Sequence, residues 1–466
     1  MIIHTLDPVW TECDEEAANM LRNLLSYKVV RWEKTHGKPR RFVEKEFLVE
    51  GWEYGKYVFL SGFVPKALKY LKKHGIRYKY TTDVPVITCK DPHIPGVDFR
   101  GYQFGLINDA IDAGYGVIVA PTGSGKSYII NGIISAFPNS NILVLVHTVD
   151  LVHQLHAGFT AVGFESSKYN ETKKIDRITI STVQTYHKVA RKLGSMWDVV
   201  LVDEGHHVSN PKSGMYYTAL AYCAAPIRLA FTATESDSEE QRAGLEGLIG
   251  PVVGKLTMEE GQSMGFLAEA EIIFRVCPLP DDKVLFKGET AYTTKYRIGV
   301  VDNFNRNNRI VVEAEREVEN GGVVLILVKH VRHMNRIENM MDIPVEIVKG
   351  AVKKEDRVTI KEDLKSGKSQ CVIATTAWVE GIDIPNLTMV INAGGGVSEK
   401  ETLQKIGRGL RKTETKDRVK IIDFMDVSDT SANPFGKCKG GKHLLHKQSI
   451  TRWDIYKAEG WKPELR

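Results

Sequence analysis

Two series of short apolar runs, separated by segments with helical spacing, account for most of the chain. The runs of the first series lie at residues 116–119, 141–146, 177–181, 198–202 and 227–231. Those of the second series lie at residues 322–328, 345–348, 371–374, 388–391 and 419–423. Near-continuous apolar runs are typical of strands buried on both faces of a parallel sheet, and the segments between them predict covering helices. The pattern therefore predicts an α/β fold with two doubly wound parallel-sheet lobes.

The first 95 residues follow a different pattern. β-Branched and aromatic residues predict short strands at 27–32, 42–49 and 57–60, and Pro65 opens a predicted helix that ends near Gly75. The prolines of residues 84–96 predict a linker. We expect a smaller α+β N-terminal accessory domain at 1–95, lobes at 96–268 and 269–428, and a C-terminal extension with a short helical tail at 429–466. Residues 268–287 are expected to form a connector that leads into the second series.

Composition and charge narrow the functional classes. The hydrophobic fraction of 42% is ordinary for a globular protein, and the formal net charge is only +5, so any basic surface must be local. The six cysteines are scattered without a Cys-x-x-Cys pair, which favours reduced thiols. No signal-like start is present, and no stretch approaches the roughly 20 apolar residues of a membrane span. We therefore expect a cytoplasmic protein, in the host cytoplasm if the source is viral, with no membrane contact.

A glycine-rich loop follows the strand predicted at 116–119. Its sequence, Ala120-Pro121-Thr122-Gly123-Ser124-Gly125-Lys126-Ser127, lies between that strand and a helical pattern, which is the context of a phosphate-binding loop. Glycine lets backbone N–H groups turn toward phosphate oxygens, and the helix N-terminus adds its dipole. Lys126 can reach the β- and γ-phosphates, and the Ser127 hydroxyl can bind Mg²⁺. All eight residues are therefore predicted ATP ligands.

Acidic residues end the strand predicted at 198–202. The sequence Asp203-Glu204-Gly205-His206 comes directly after it, where a buried parallel strand presents its carboxyl end to a ligand crevice. We expect Asp203 to hold Mg²⁺ through water, Glu204 to polarise the attacking water and His206 to relay the nucleotide state. This strand is expected one sheet position from the strand that precedes the loop. His207 is expected to pack or to face solvent, and Thr232–Thr234 can hydrogen-bond the acidic motif or form a simple turn.

Basic residues cluster in two further places. Six cations without an acid among them, interleaved with tyrosines, occur at Lys66, Lys69, Lys72, Lys73, Arg77 and Lys79. They predict either a nucleic-acid surface or a solvated helix face. Arg408 and Arg411 are three residues apart on one helix face, which suits a phosphate clamp or an ordinary basic surface. Cys438, His443 and His446 are too scattered to favour a zinc site.

In this order the motifs resemble those of superfamily 2 helicases and translocases, over roughly residues 99–425. The resemblance implies two RecA-like lobes, ATP and Mg²⁺ as cofactors, and DNA as partner. It implies adenine or ribose contacts from Arg100, Gln103, Gly381, Asp383 and Gln404. Arg408 and Arg411 would complete the ATP site. Backbone contacts with the nucleic acid would come from Thr148, Thr182, Gln184 and Thr375.

The departures from the common motifs favour a DNA motor. Gly205 stands where Ala is commoner, and Gln404 stands where the last motif often begins with His. Together with the N-terminal region they resemble the UvsW-type phage recombination helicases, which implies branched, forked or duplex DNA and partners among recombination or replication proteins. From the N-terminal region, Lys69, Lys72, Lys73 and Arg77 would bind the DNA.

Three other interpretations stay open. The chain could be an RNA helicase, a nucleotide-switched clamp that grips DNA without moving, or the translocating subunit of a restriction complex.

Overall fold

The structure, a computed structural model, places two sheets of seven strands in two units. It describes residues 1–35, 38–51, 55–235, 238–287, 290–349, 354–375, 384, 386–396, 416–428, 433–436 and 443–466, with backbone alone for 30, 32–41, 354–358 and 361. One unit contains Met1–Ala120 and Gly125–Leu256, and the other contains Pro121–Ser124 and Thr257–Arg466. Neighbouring strands pair in parallel throughout both sheets. The predicted pair of doubly wound lobes is confirmed, as is the α+β region before them.

The N-terminal region combines a mixed sheet with a separate hairpin. Its elements are β1 (Ile2–Thr5), β2 (Trp10–Cys13), α1 (Glu15–Leu21), β3 (Ser26–Thr35), β4 (Lys38–Phe47), β5 (Glu50–Gly51), β6 (Tyr57–Leu60), α2 (Val64–Lys73) and β7 (Lys79–Thr82). The sheet has the order β5-β6-β2-β1-β7, and β3 pairs only with β4 among the described strands. The strand at 57–60 and the helix at Pro65 are as predicted. The sequence did not predict β1, β2, α1, β5 and β7.

The N-terminal region packs directly on the first lobe. A Cβ on Gly62 would lie 2.0 Å from the backbone oxygen of Glu246, so only glycine fits this approach. Lys66 forms an ion pair with the same glutamate at 3.2 Å. Buried residues of both parts, such as Phe63 and Leu248, belong to one hydrophobic cluster. The region and the lobe therefore share one core.

The first lobe contains the predicted strands at the predicted places. Its strands are β8 (Tyr115–Val119), β9 (Ile142–Val146), β10 (Ser167–Lys168), β11 (Ile178–Thr182), β12 (Val199–Asp203), β13 (Ile227–Thr232) and β14 (Val252–Lys255). Their order in the sheet is β10-β11-β9-β12-β13-β8-β14. The helices are α3 (Gly101–Ala113), α4 (Lys126–Ala136), α5 (Val149–Ala161), α6 (Tyr169–Thr172), α7 (Val183–Tyr186), α8 (Ala190–Leu193), α9 (Met215–Ala221) and α10 (Glu239–Leu248). The central strands are fully buried, as their apolar runs require.

The second lobe repeats the architecture. Its strands are β15 (Glu269–Pro278), β16 (Val324–Val328), β17 (Glu346–Val348), β18 (Cys371–Thr375), β19 (Met389–Ile391), β20 (Arg418–Val427) and β21 (Glu464–Leu465). Their order is β17-β18-β16-β19-β20-β15-β21. The helices are α11 (Met258–Ser263), α12 (Lys283–Phe286), α13 (Tyr292–Tyr296), α14 (Phe304–Glu319), α15 (Val331–Glu338), α16 (Lys354–Ser366) and α17 (Leu444–Ala458).

The prediction of a connector at 268–287 is wrong for most of that range. Residues Glu269–Pro278 form β15, which pairs with β20 along its full length. Charged residues at Glu269, Glu271 and Arg275 interrupt the apolar run, so the segment lacks the signature of a buried strand. Glu269 is exposed, the other two are partly exposed, and all three form ion pairs, as Arg275 does with Glu313 at 2.6 Å.

The C-terminal segment is built into the second lobe. Arg452 on α17 is 1% exposed and donates to Asp423, to the Phe424 oxygen and to the Gly396 oxygen. Arg306 forms a second buried pair with Asp426. His443 and His446, the two histidines of the disfavoured zinc site, contact the oxygens of Leu285 and Pro434, whereas Cys438 lies outside the described residues.

In the parts of the chain that the structure describes, no helix combines the length and the apolar character that crossing a bilayer requires.

One buried histidine makes the stability of the second lobe depend on pH. His333 is fully buried, and its Nε2 lies 2.8 Å from Asn307 Oδ1. Burial, followed by the charge of Arg306, lowers the pKa of His333 to about 3. The folded protein therefore keeps this ring neutral, while an unfolded chain takes up a proton below a pKa of about 6.5. Its contribution to stability is complete above that pH and is lost as the pH falls toward 3, by at most about 1.4 kcal/mol per pH unit.

We expect the variant His333→Gln, which keeps a donor for Asn307, to lose this pH dependence. The measurement is the free energy of unfolding by urea between pH 7.5 and 5, and the variant should show the shallower slope. His93→Gln is the matched control because the His93 side chain is exposed. Parallel slopes for the wild type and His333→Gln would contradict the assignment.

Candidate nucleotide-binding site

The glycine-rich loop has the geometry that its sequence predicts. β8 ends at Val119, and α4 begins at Lys126. Gly123 has φ 89° and Gly125 has φ 79°, in the left-handed region that favours glycine. Gly125 is also the N-cap of α4, so the free N–H groups of the first helical turn follow the loop directly. A helix N-terminus of this kind suits an anion such as phosphate.

Lys126 and Ser127 open the helix behind the loop. Lys126 Nζ donates to the Ala120 oxygen at 3.1 Å, which joins the two ends of the loop. Ser127 is exposed. Both side chains therefore lie at the helix start, where the sequence places the phosphate and magnesium ligands.

Gln103 lies against the loop from the neighbouring helix. A Cβ on Gly125 would lie 2.5 Å from Gln103 Nε2, so a larger residue here would displace the end of the Gln103 side chain. Gln103 is 4% exposed, and its Oε1 accepts from the backbone N of Arg100 at 3.0 Å, which caps α3. Arg100 Nη1 in turn lies 3.4 Å from the hydroxyl of Tyr102. The structure thus brings the predicted adenine-reading glutamine next to the predicted phosphate loop.

The strand that ends in the acidic motif, β12, lies two sheet positions from β8, the strand that precedes the phosphate loop. The prediction that the two strands are direct neighbours is wrong. β13 lies between β12, which ends at Asp203, and β8. The order of strands in the sheet does not follow their order in the sequence here, because β13 comes after β8 and β12 in the chain but lies between them. The inserted strand ends at Thr232, so hydroxyl groups separate the loop from the carboxylates.

A strained turn presents the two carboxylates. Glu204 has φ 52° and ψ 52°, and Lys173 is the other non-glycine with positive φ among the described residues. Left-handed backbone in a residue with a side chain costs of order 1–3 kcal/mol and occurs most often at functional sites. Asp203 Oδ1 accepts from the Glu204 N–H at 3.0 Å, which fixes one carboxylate against the other's backbone.

His206 joins the acidic motif to the next strand. It is 2% exposed, and its Nδ1 lies 3.3 Å from Glu204 Oε2 and 3.2 Å from Thr232 Oγ1. Thr232 Oγ1 also donates to the Thr234 oxygen at 2.9 Å. The predicted hydrogen bond between the threonine pair and the acidic motif is therefore present, and it runs through the histidine.

Threonines predicted to contact nucleic acid make internal hydrogen bonds. Thr148 caps α5 by accepting from the Leu151 N–H at 3.3 Å. Thr182 accepts from Asn170 Nδ2 at 2.9 Å, and Asn170 Oδ1 accepts from the Thr182 N–H at 2.8 Å. Asn170 therefore organises this loop, and no sequence signal singled it out. Gln184 Nε2 donates to the His147 oxygen at 3.0 Å.

The other predicted site residues of the two lobes lie in the second lobe or outside the described residues. Thr375 ends β18 in the second lobe and is 8% exposed. Gly381, Asp383, Gln404, Arg408 and Arg411 lie outside the described residues. The arginine clamp and the ribose contacts therefore stay predictions.

The two predicted metal ligands fit Mg²⁺. Asp203 and Ser127 offer a carboxylate and a hydroxyl oxygen, the hard ligands that this ion prefers. Two protein ligands are enough because Mg²⁺ usually keeps waters and binds the phosphates of its nucleotide. Within the described ranges there is no group of three or more His, Cys, Asp or Glu side chains that could hold a metal alone.

The packing around residue 205 explains why the acidic motif has glycine where alanine is commoner. A Cβ at this position would lie 2.9 Å from Ala230 Cβ on β13. We expect Gly205→Ala to lower the free energy of unfolding by about 1–3 kcal/mol through overpacking. The double variant Gly205→Ala/Ala230→Gly should recover part of the loss, because it removes the opposing methyl group.

The control for this prediction is Ala230→Gly alone. Urea unfolding of the four proteins gives the coupling between the two positions. Single effects that simply add in the double variant would show that the two methyl groups do not compete.

Comparison with known proteins matches both lobes to helicase families. The family described as "Type III restriction enzyme, res subunit" matches residues 97–237, and the "Helicase conserved C-terminal domain" matches residues 297–413. Helicase 22 of Sulfolobus islandicus filamentous virus (isolate Iceland/Hveragerdi), a provisional name, is 26% identical over 94% of this chain and 80% of its own length. The ATP-dependent DNA helicase uvsW of Enterobacteria phage T4 is 27% identical over 74% of this chain and 72% of its own.

A solved structure supports the fold. The ATP-dependent Type ISP restriction-modification enzyme LlaBIII bound to DNA superposes with a TM-score of 0.57, at 13% identity, over 86% of this chain and 34% of that one. The two helicase families follow each other along the chain in the order of the two lobes, and the first contains the phosphate loop and the Asp-Glu-Gly-His turn. In this order the two domains are those of superfamily 2 helicases, which are ATP-driven enzymes built on two RecA-like lobes.

Proposed function

We propose that this chain is an ATP-driven DNA helicase or translocase that remodels branched or forked DNA, as in branch migration and replication-fork repair. The observation that carries the proposal is that the phosphate loop and the Asp203–His206 turn follow strands of one parallel sheet, with Gln103 of α3 against the loop. The choice of DNA is supported by the phage T4 relative, which is named a DNA helicase. The preference for branched DNA rests on the resemblance to that type of recombination helicase.

The predicted site residues of the first lobe each have a role in nucleotide binding or hydrolysis under this proposal. Gln103 and Arg100 bind the adenine, and Ala120–Ser127 bind the phosphates. Lys126 neutralises charge that develops on the β- and γ-phosphates. Glu204 orients the attacking water and accepts its proton, and His206 lies beside it, with Nδ1 3.3 Å from Glu204 Oε2. Ser127 and Asp203 hold Mg²⁺, which supplies charge neutralisation at the phosphate oxygens when it is bound.

The second lobe completes the site in this proposal. Arg408 and Arg411 act as the clamp that stabilises the transferred phosphate, and Gln404, Gly381 and Asp383 contact the nucleotide or its ribose. Closing and reopening of the lobes would then follow binding and release of the nucleotide.

The DNA is held through its backbone. The predicted contacts lie at strand ends or helix starts, which are usual sources of phosphate contacts. They are Thr148, Thr182, Gln184 and Thr375. Contacts with phosphate carry no sequence information, so the motor can track any sequence.

The N-terminal basic surface is the proposed holder of the duplex or junction. Helix α2 buries Val64, Ala67 and Leu71, so the cations on its other faces point to solvent. The surface consists of the exposed residues Lys69, Lys72, Lys73 and Arg77. No carboxylate of the described residues forms an ion pair with any of these four. Lys66 is different, because its ion pair with Glu246 ties it to the first lobe.

We expect Lys126→Ala to reduce DNA-stimulated ATP hydrolysis by at least about 100-fold, the usual effect of losing one charge-stabilising donor. The loop fold should survive, because Gly123 and Gly125 determine it. Lys56→Ala is the matched control, since it removes one exposed lysine that is paired with Glu12 at 2.8 Å. A Lys126→Ala enzyme with full DNA-stimulated turnover would overturn the site assignment.

The same assay identifies the substrate when it is run with single-stranded, duplex, forked and four-way DNA and with matched RNA. Greater stimulation by RNA would favour an RNA helicase. Hydrolysis that neither displaces a third strand nor migrates a junction would favour a clamp.

We expect alanine at Lys69, Lys72, Lys73 and Arg77 to weaken binding of forked and four-way DNA. Each lost phosphate contact should reduce the slope of log affinity against log salt by about 0.9. Stimulation of the ATPase by single strands should change less than junction affinity. The control replaces four exposed lysines of the second lobe, Lys283, Lys447, Lys457 and Lys462. An unchanged salt slope in the N-terminal variant would remove this surface from the DNA path.

A further inference from the structure

A stack of histidine rings lies behind the acidic turn. The rings of His207 and His147 are 3.8 Å apart and inclined by only 9°. The ring of His206 lies 4.3 Å from that of His207. The ring of Tyr216 is nearly parallel to that of His207, with 6.4 Å between the ring centres. His207 follows β12 and His147 follows β9, which are neighbours in the sheet. The stack therefore bridges the ends of two adjacent strands.

One end of the stack reaches the residue that would activate water. His206 Nδ1 lies 3.3 Å from Glu204 Oε2, and His206 and His207 belong to one short 3₁₀ turn, Gly205–His207. The turn starts at the left-handed backbone of Glu204 and cannot shift freely, since Gly205 already lies against Ala230. Glu204 and the ring of His207 are therefore joined by one short turn that packing holds in place.

The other end of the stack reaches the segment proposed to hold the nucleic-acid backbone. The His147 oxygen accepts from Gln184 Nε2 at 3.0 Å, and the next residue, Thr148, caps α5. His147 Nδ1 is buried and has no hydrogen-bond partner among the described residues. Stacking against His207 therefore helps to hold the orientation of the His147 ring, since Nδ1 makes no hydrogen bond within the described part of the chain.

We infer that His207 is a positioning residue that couples the nucleotide site to the nucleic-acid contacts of the first lobe. Its ring transmits the position of Glu204 through His147 to Thr148 and Gln184. The contact is between flat ring faces, so it depends on a planar side chain at both positions. This inference rests on the proposed function, because it needs a nucleic acid that stimulates ATP hydrolysis.

The test compares His207→Ala with His207→Phe. We expect His207→Ala to keep the ATPase rate measured without DNA and to lose about 3- to 30-fold of the stimulation by saturating DNA, the range of known coupling effects. His207→Phe keeps a flat ring and should retain most of the stimulation. DNA affinity measured without nucleotide should stay within about twofold of wild type in both variants. Thermal unfolding shows that each variant is folded.

A double-variant cycle with His147→Ala separates coupling from local damage. If the stack transmits the signal, His147→Ala/His207→Ala should lose no more stimulation than either single variant, because the path is already broken. Losses that multiply in the double variant, or full stimulation in His207→Ala, would overturn the inference while leaving the proposed function intact. A wild-type enzyme that no DNA stimulates would overturn the proposed function and the inference together.

Discussion

Everything in the first lobe depends on the parallel register of three neighbouring strands. β12, β13 and β8 pair residue by residue, so that Asp203 lies beside Phe231 and Thr232 lies beside Val119. Parallel strands end at the same edge of a sheet, and this brings a carboxylate, a hydroxyl and a glycine loop to one place. The Ala120 N–H even bonds to the Thr232 oxygen at 2.9 Å, so the loop starts on the ladder itself. The chemistry of the site is a consequence of where the ladder stops.

The turn after β12 converts this shared edge into a fixed geometry. Glu204 adopts a backbone conformation that a residue with a side chain rarely accepts, and His206, two residues later, is buried. The absence of a Cβ at Gly205 allows the turn to lie against β13. Packing of Gly205 and the hydrogen bond between His206 and Thr232 hold the turn in place beside Glu204. A residue held in this way can change position only together with its neighbours.

The sequence was informative where one local signal determines structure. Apolar runs located the buried strands, and glycines at 123 and 125 located the phosphate loop, because both features need no knowledge of distant residues. The order of the strands was not accessible, since β13 reaches its place between β12 and β8 through pairing that no local pattern encodes. The same limit hid the role of Asn170, which is recognisable only from its bonds to Thr182. His207 was expected to pack or to face solvent, and its partner His147 is sixty residues away.

The attachment of the N-terminal region constrains how a motor of this kind could use it. Gly62 meets the backbone of α10 so closely that no side chain fits, and Gly247 on that helix likewise leaves no space beside Leu60 and Phe63. At the base of the hairpin, the Lys28 N–H donates to Glu239 at 3.0 Å, also on α10. Contacts through backbone atoms and a common core do not permit a loose hinge. DNA held on α2 would therefore keep a fixed geometry relative to the phosphate loop of the first lobe, and a moving part would have to come from elsewhere in the chain.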